Sequence, residues 1–522
     1  MLLRVKIKDG EYFWCGEVNS ATDMPITKGM KYDRDFREHA RNQMMPLILS
    51  SMGRYIWSEK SFRIYIKNDE LCVEGESDLC LYEAGTTLKD AYLGAMENHF
   101  PFKETREQNK TLPREFFKTA QFNTWVEYTY NPTQEKVLKY AHDAIANGFD
   151  AGILIIDEGW HGRYGQWKFD KHKFPDPKAM ISELHALGFK VMLWITPFVT
   201  ADGMEFTMDT RADFNPENYD KLFLRDANGS VAMVKWWNGI SAMLDLRKEC
   251  DRAYLKSKLD FLMNEYGVDG FKCDGGSYDC YAKSEFLTEV APDHDQAELN
   301  LAWNEFGSQY TYHEYKDTFK GGGKATIQRL CDREHKWNNG GIASLVPCGL
   351  LQGLFGHPFI CPDMIGGGSW TDELMPNFKL DEELFIRMAQ ASALFPMMQF
   401  SWAPWRVLSR ESYDIVVGAY KLHNAFSNEI IDLVAHAEKT GEPILRALEY
   451  VDPHRGYAPI TDEFMLGNDI LVCPILTKGT FEKEITFPSG KWQDVDKNVY
   501  EGNQKAIVKA PLDKLLYFRR IK

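Results

Sequence analysis

An α/β protein is what this 522-residue sequence predicts: a (β/α)8 barrel with a β-sandwich before it and a second β-sandwich domain after it. Three observations carry that expectation. From about residue 120 to 435, short apolar runs alternate with longer helical patterns, as parallel β/α units require. Before about residue 115 and after about 440 the texture is instead short alternating segments broken by turn residues. With 44% hydrophobic residues, the chain is also long enough to bury a large core and divide into domains. The expected domains are 1–115, 116–437 and 438–522.

In the first domain, Leu3-Val5-Ile7 and Phe62-Ile64-Ile66 alternate apolar and polar positions, the period of a half-buried strand. The opening MLLRVKIKDGEYFW reads as a strand, with neither the apolar core nor the cleavage site of a secretory signal, and no run approaches transmembrane length. Leu112-Pro113-Arg114 leads into the barrel. Its eight expected strands are Phe122–Tyr128, Ala151–Asp157, Lys190–Pro197, Gly270–Asp274, Asn300–Glu305, Thr326–Asp332, Pro358–Asp363 and Leu394–Ser401. Helical patterns fall between several of them, at Thr133–Asn147, Pro177–Leu187 and Asp251–Tyr266. The second is the best punctuated, with Pro177 suited to a first turn and Gly188 stopping the run. Eight such units in roughly 250 residues or more satisfy a barrel. In the last domain, Phe464–Asp469 and Phe487–Trp492 are short strand patterns with Gly and Pro turns.

Bulk charge narrows the partners. A net charge of -15 argues against a nucleic-acid or anionic-membrane surface, because phosphate binding needs clustered Lys and Arg. The expected partner is a neutral or small molecule, and the sequence leaves room for a homo-oligomer. The cysteines, Cys15, Cys72, Cys80, Cys250, Cys273, Cys280, Cys331, Cys348, Cys361 and Cys473, lack tight metal-type pairs and read as reduced thiols of a cytoplasmic protein. No metal and no cofactor are expected, since the histidines also lack ligand spacing.

The chemistry collects at the expected strand ends, where a barrel builds its active site. Asp157 and Glu158 close the second strand, Trp194 lies on the third, and Lys272 and Asp274 close the fourth. Asn304 and Glu305 close the fifth, Asp332 the sixth and Asp363 the seventh. Along a strand Lys272 and Asp274 share a face while Phe271 and Cys273 point the other way, and Gly275-Gly276 then lets the chain turn beside the carboxylate. An internal Lys-Asp ion pair is the competing reading. Carboxylates with Trp125, Trp160, Trp194, Trp236, Trp237 and Trp337 suit glycoside chemistry, in which two carboxyl groups flank the bond and aromatic faces hold the sugar. The same residues also suit a metal-assisted barrel enzyme with Lys272 as base and Asp274 and Glu305 as ligands.

Five stretches carry a resemblance that separates these readings: Gly267-Val268-Asp269-Gly270-Phe271-Lys272-Cys273-Asp274, Gly353-Leu354-Phe355-Gly356-His357-Pro358-Phe359, Asp363-Met364-Ile365-Gly366-Gly367, Phe464 to Pro474 and Pro488 to Asp494. Together they resemble glycoside hydrolase family 31, retaining α-glycosidases with a β-sandwich, a (β/α)8 barrel and C-terminal β-domains. The resemblance makes Asp274 the nucleophile. It makes Asp332 the general acid/base, by its order before Trp337 and Pro347, although the family's usual Gly-Asp-Asn is replaced here by Arg329-Leu330-Cys331-Asp332-Arg333. Lys272 is then expected to favour ionised Asp274, and Asp332 to start protonated. Retention implies carboxyl groups about 5 to 5.5 Å apart.

The departures bear on the sugar. Met398-Gln399-Phe400-Ser401 lacks the Arg-x-His of glucose-specific members, Gly368 replaces an aromatic, and Gly275 stands where many α-glucosidases have Asn. These features resemble the branch of myogenesis-regulating glycosidase and related bacterial α-galactosidases, and imply an α-galactosidase acting on an oligosaccharide or other α-glycoside. Activity toward α-glucosides or α-xylosides is the near alternative. Asp157 is expected to accept from a sugar hydroxyl, with helix capping as its rival role. Trp125 and Trp194 either bind sugar or fill the barrel, and one of Trp236 and Trp237 lines the site while the other packs its loop. Arg329 holds a hydroxyl or pairs with a neighbouring acid, Asp363 orients other groups, and His357 is structural. A metal-dependent enzyme and a glycan-binding protein without turnover are the competing classes.

Overall fold

The structure, a computed structural model, describes residues 1–108, 110–200, 222–369 and 378–521. By internal contacts the chain forms two compact units: Met1–Arg37 with Asn42–Gln121 and Lys320–Lys522, and Glu38–Arg41 with Phe122–Phe319.

The second of these holds the parallel strands Ile153–Ile156, Lys190–Ile195, Gly270–Cys273 and Tyr312–Tyr315, paired in that order, with Phe122 and Asn123 pairing alongside Leu154 and Ile155. Every residue of Ile153–Ile156 and of Gly270–Cys273 is buried, which is how parallel strands covered on both faces read. Register places Trp194 beside Lys272 and Lys272 beside Glu314, so these three form one row across the sheet. Close approach of the strands depends on Gly270, where a Cβ would lie 1.9 Å from the carbonyl oxygen of Tyr312.

Local chemistry starts the helices where the sequence places them. Thr133 caps Gln134–Ala146 by accepting from the Lys136 N–H, and Asp176 caps Pro177–Ala186 by accepting from the Ala179 N–H. Gly188, at φ +98, turns the chain out of the second helix. The third helix is Glu249–Phe261, which widens into a π turn over Leu262–Tyr266 before Gly267 at φ +84.

Two expected strands are different elements. Asn300–Glu305 lies inside the helix Gln296–Gly307, which Asp295 caps by accepting from the Ala297 and Glu298 N–H groups. Its buried Leu299, Ala302, Trp303 and Phe306 repeat at i, i+3, i+4 and i+7, a helical stripe that a short apolar window reads as a strand. Asn304 and Glu305 therefore close no strand, and the fifth strand is Tyr312–Tyr315. The first expected strand ends at Asn123, because the Asn123 side chain accepts from the Trp125 N–H at 2.8 Å and turns the chain into the helix Trp125–Tyr128.

In the other unit, two parallel pairs stand where the late strands are expected: Gln328–Arg329 with Ile360–Cys361, and Met364–Ile365 with Gln399–Phe400. These are far shorter than the apolar runs around them, since Asp363 at φ +89 breaks one run and Leu394 ends the helix Glu382–Ala393. Its N-terminal region has two antiparallel sheets, one ordered Leu2–Lys6, Glu70–Gly75, Phe62–Lys67 and Asp33–Asp35, the other containing Ile26–Thr27, Tyr12–Glu17, Gln43–Ser50, Arg54–Ser58 and Leu79–Glu83. Its C-terminal strands are antiparallel as well, and Met465, Leu471, Phe487, Trp492 and Phe518 pack into one core. The helix Arg410–Thr440 precedes them, opened by Ser409 and closed by Gly441 at φ +71.

Two glycines test this packing in opposite directions. Gly270→Ala should destabilise by about 1–3 kcal/mol or more, because the new methyl meets backbone. Gly418→Ala, on an exposed helical position with open space around it, should stabilise by up to about 1 kcal/mol. Urea titrations measure both, and an unaffected Gly270→Ala midpoint would contradict the strand spacing.

Candidate active site

Asp274 directly follows the strand Gly270–Cys273, and three donors meet its carboxylate. They are the Trp194 indole Nε1 at 3.1 Å, the Gly275 backbone N–H at 2.9 Å and the Lys316 ammonium at 3.2 Å. The glycine after Asp274 is required, because φ is +63 there and a Cβ would lie 2.6 Å from Thr196 Oγ1 and 2.9 Å from the Phe198 ring.

Lys272 shares the face of Asp274 as its position in the strand dictates, but its own ion pair is with Asp157 Oδ2, at 2.6 Å. Both side chains are nearly closed to water, 4% and 2% exposed. The expected direct influence of Lys272 on Asp274 thus sits beside a pair that Lys316 makes, and Lys316 lies just past the strand Tyr312–Tyr315. Sequence reading missed Lys316 because it placed the fifth strand on the preceding helix.

Next to Asp157, Glu158 is buried and richly contacted. Its N–H donates to Asp157 Oδ1 at 2.8 Å, and its Oε1 accepts from Tyr164 Oη at 2.5 Å and from Asn238 Nδ2. Burial pushes this carboxyl up to about 7, the charges of Asp157 and Asp274 push the same way, and hydrogen bonds from Tyr164 and Trp237 pull it back. The imbalance has a visible source: Asp157, Glu158, Asp274 and Glu314 are all buried acids, near the two lysines Lys272 and Lys316. Glu158 adjoins a residue that the sequence singles out. Tyr164 and Asn238 carry no local signal, because only folding brings their loops to it.

The tryptophans separate by exposure. Trp236 is buried, donating from Nε1 to Ser241 Oγ at 2.8 Å with its ring 4.6 Å from that of Phe198. Trp237, in the two-residue turn between strands Met233–Trp236 and Gly239–Met243, is 49% exposed. Trp125 lies on a helical turn instead of a strand, its ring edge-on to Tyr130 at 5.3 Å, and Tyr130 Oη is 3.5 Å from Asn238 Oδ1.

A second group of candidate residues belongs to the other compact unit. Arg329 Nη1 donates to Asp332 Oδ1 at 2.9 Å and also to Asp363 Oδ1, so one guanidinium nitrogen joins both acids. Asp363 is buried and also accepts from the Arg333 N–H at 2.7 Å, whereas the Asp332 side chain is 34% exposed. Burial pushes the Asp363 carboxyl up to about 6, Arg329 pulls it down and the Asp332 charge adds to the rise. The Asn42 side chain, missed in the sequence, accepts from the Cys331 N–H at 3.1 Å and donates to the Arg329 carbonyl at 3.0 Å, holding this stretch from the N-terminal region. Among the described residues no group of three or more His, Cys, Asp or Glu is placed to hold a metal ion, and no helix is long and apolar enough to cross a membrane.

Comparison with known proteins bears on both groups. The sequence profile described as the glycosyl hydrolases family 31 TIM-barrel domain matches residues 114–421, and that of the glycosyl hydrolase family 31 C-terminal domain matches residues 441–521. Myogenesis-regulating glycosidase of Mus musculus is 29% identical over 421 residues, covering 77% of this chain and 56% of that protein. Alpha-glucosidase 2 of Bacillus thermoamyloliquefaciens is 25% identical over 423 residues, covering 75% and 51%. The chain thus spans about half the length of the curated relatives it matches. A Flavobacterium johnsoniae family 31 dextranase solved with glucose superposes with a TM-score of 0.82 at 18% identity, over 99% of this chain and 66% of that one. That likeness shows the shared fold.

The buried charges give two expected outcomes. Lys272→Met leaves Asp157 as an unpaired buried carboxylate and should lower stability by about 3–5 kcal/mol, most of it recovered when Asp157→Asn is added. Denaturant titration of both variants checks this, and a single variant as stable as wild type would dismiss the pair as a structural element. For Glu158, whose carboxyl is raised from 4.5 to about 7 in the folded chain, the native state holds a proton that the unfolded chain releases, so this group's contribution falls as pH rises between those values. The melting temperature of Glu158→Gln relative to wild type should therefore climb from pH 5 to pH 8, and a flat difference would contradict the shift.

Proposed function

We propose that this chain, which belongs to glycosyl hydrolase family 31, is a retaining exo-acting α-glycosidase with Asp274 as nucleophile and Asp332 as general acid/base. The observation that carries the reading is the carboxylate of Asp274, set at the end of a buried parallel strand and met by Trp194, the Gly275 N–H and Lys316. An ionised, oriented oxygen at that position is what attack on an anomeric carbon needs.

In the first step an Asp274 oxygen bonds to the anomeric carbon as the bond to the departing oxygen breaks, and Asp332 gives that oxygen its proton. In the second step Asp332 takes a proton from water, the water oxygen bonds to the same carbon, and the bond to Asp274 breaks. Two inversions leave the α-configuration retained. Partial exposure of Asp332 suits a group that must meet both aglycone and water, while Arg329 and Asp363 position it. Asp157, Lys272 and Trp237 are the residues we assign to the sugar, while Trp194, as buried as Trp125 and Trp236, acts on it through the hydrogen bond it gives Asp274.

For the sugar itself we place α-galactosides first. Two departures from the glucose-specific pattern are built into the packing: Gly275 has no room for a Cβ, and a Cβ at Gly368 would lie 2.8 Å from Asp363 Oδ1. A change at either position alters which hydroxyl orientation is accepted beside it. Relatives named as an alpha-glucosidase and an alpha-xylosidase make those sugars the second reading.

A panel of aryl α-glycosides tests the proposal. We expect turnover of the α-galactoside with the α-anomer released first, as read by proton NMR, and a fall in kcat of at least about 10³-fold in Asp274→Asn. An inert α-galactoside with turnover of the α-glucoside or α-xyloside would move the sugar and leave the mechanism. Full activity of Asp274→Asn would remove the nucleophile, activity abolished by chelator would favour a metal-dependent reaction, and sugar binding without turnover would favour a binding protein.

A further inference from the structure

Glu158 is the most heavily contacted titratable group beside Asp274 that the mechanism above does not use. It follows Asp157 at the end of the strand Ile153–Ile156, and its neighbours come from three separate stretches of one compact unit. Tyr164 and Asn238 both donate to Oε1, and Asn238 Nδ2 also donates to Tyr164 Oη at 2.9 Å. Asn238 and Trp237 are together the two-residue tip of a hairpin, so the tip's backbone geometry sets an amide and a half-exposed indole against one carboxyl.

A purely structural role accounts poorly for this arrangement. Burying an acid next to two other acids is unfavourable, and a neutral side chain would fill the space at lower cost. Sugar recognition, by contrast, uses what is present: a flat amphipathic ring at the surface and a fixed polar group that both donates and accepts, as a sugar hydroxyl does. A protonated carboxyl offers both functions, and an ionised one only accepts.

We propose that Glu158 is a specificity-determining residue which hydrogen-bonds one hydroxyl of the sugar attacked by Asp274, with the Trp237–Asn238 hairpin tip as the clamp that sets its orientation. The inference rests on the glycosidase reading of Asp274. Charged and titratable groups around Glu158 are Asp157 with its partner Lys272, Asp274 with its partner Lys316, Tyr164 and Tyr130, Lys173, which donates to the Gly159 carbonyl at 2.8 Å, and His161, which burial keeps neutral by pushing it down to about 4.

The test compares wild type, Glu158→Ala and Glu158→Gln on the best aryl α-glycoside of the panel and on its monodeoxy analogues. In wild type one analogue should lose at least about tenfold in kcat/KM, the worth of one hydrogen bond to a buried polar group. Against Glu158→Ala that analogue should lose nothing further relative to the parent. The ratio of parent to that analogue should vary between pH 5 and pH 8 in wild type and be constant in Glu158→Gln, which cannot ionise. Equal penalties for every analogue in wild type and Glu158→Ala would overturn the inference and leave the glycosidase reading standing. If Glu158→Ala does not fold, Asn238→Ala, which keeps the carboxyl and removes its clamp, is read by the same ratios. If wild type turns over no glycoside, calorimetric binding of galactose, glucose and xylose decides: binding lost in Glu158→Ala sustains the inference while catalysis fails, and binding unchanged in the variant, or absent from wild type, overturns it.

Discussion

A lysine ammonium and an aspartate carboxylate, both shut away from water, meet at 2.6 Å where the strands bearing Asp157 and Lys272 end. Neither charge would be tolerable alone, because an unpaired ion in such a place forfeits several kcal/mol of hydration. The pair therefore ties the register of the strands to the chemistry at their tips. Slip one strand by a residue and Lys272 turns to the face that Phe271 and Cys273 occupy. Gly270 sets the approach of the next strand, and with it the place of Glu314 and Lys316.

Once Lys272 belongs to Asp157, the remaining acids must be held differently, and the structure holds each in its own way. Asp274 takes a lysine, an indole N–H and a backbone N–H. Glu158 takes a phenol and an amide and keeps its proton to near neutrality. In the other unit a single guanidinium nitrogen joins Asp332 to Asp363, leaving the first partly open and the second buried. Environments that drive neighbouring carboxyls to different protonation states are how acid and base roles are divided among chemically similar side chains.

Legibility in the sequence followed the range of the interactions. The second, third and fourth strands were readable because their apolar runs are short and bounded by glycine or proline, and the helix at Pro177 because Asp176, Pro177 and Gly188 act within a few residues. Asn300–Glu305 was misread because Leu299, Ala302, Trp303 and Phe306 show their helical period only over a longer window. That error hid Lys316 and credited Glu305 with a strand end. The short pairs at Gln328–Arg329 and Gln399–Phe400 were overestimated because apolar sequence continued past the hydrogen-bonded residues.

By itself the sequence determined the family, through motifs that are local in the chain, and it singled out Asp274, Asp157, Lys272, Arg329, Asp332 and Asp363, since strand-end carboxylates and glycine turns are written within a few positions. Only the tertiary structure decided which charge meets which. That Lys272 pairs with Asp157, that Lys316 reaches Asp274, and that a hairpin tip 80 residues along the chain brings Asn238 onto Glu158 are consequences of register and loop packing. Side-chain partners across sheets and loops depend on distances of a few ångströms, and no periodicity in the chain encodes those.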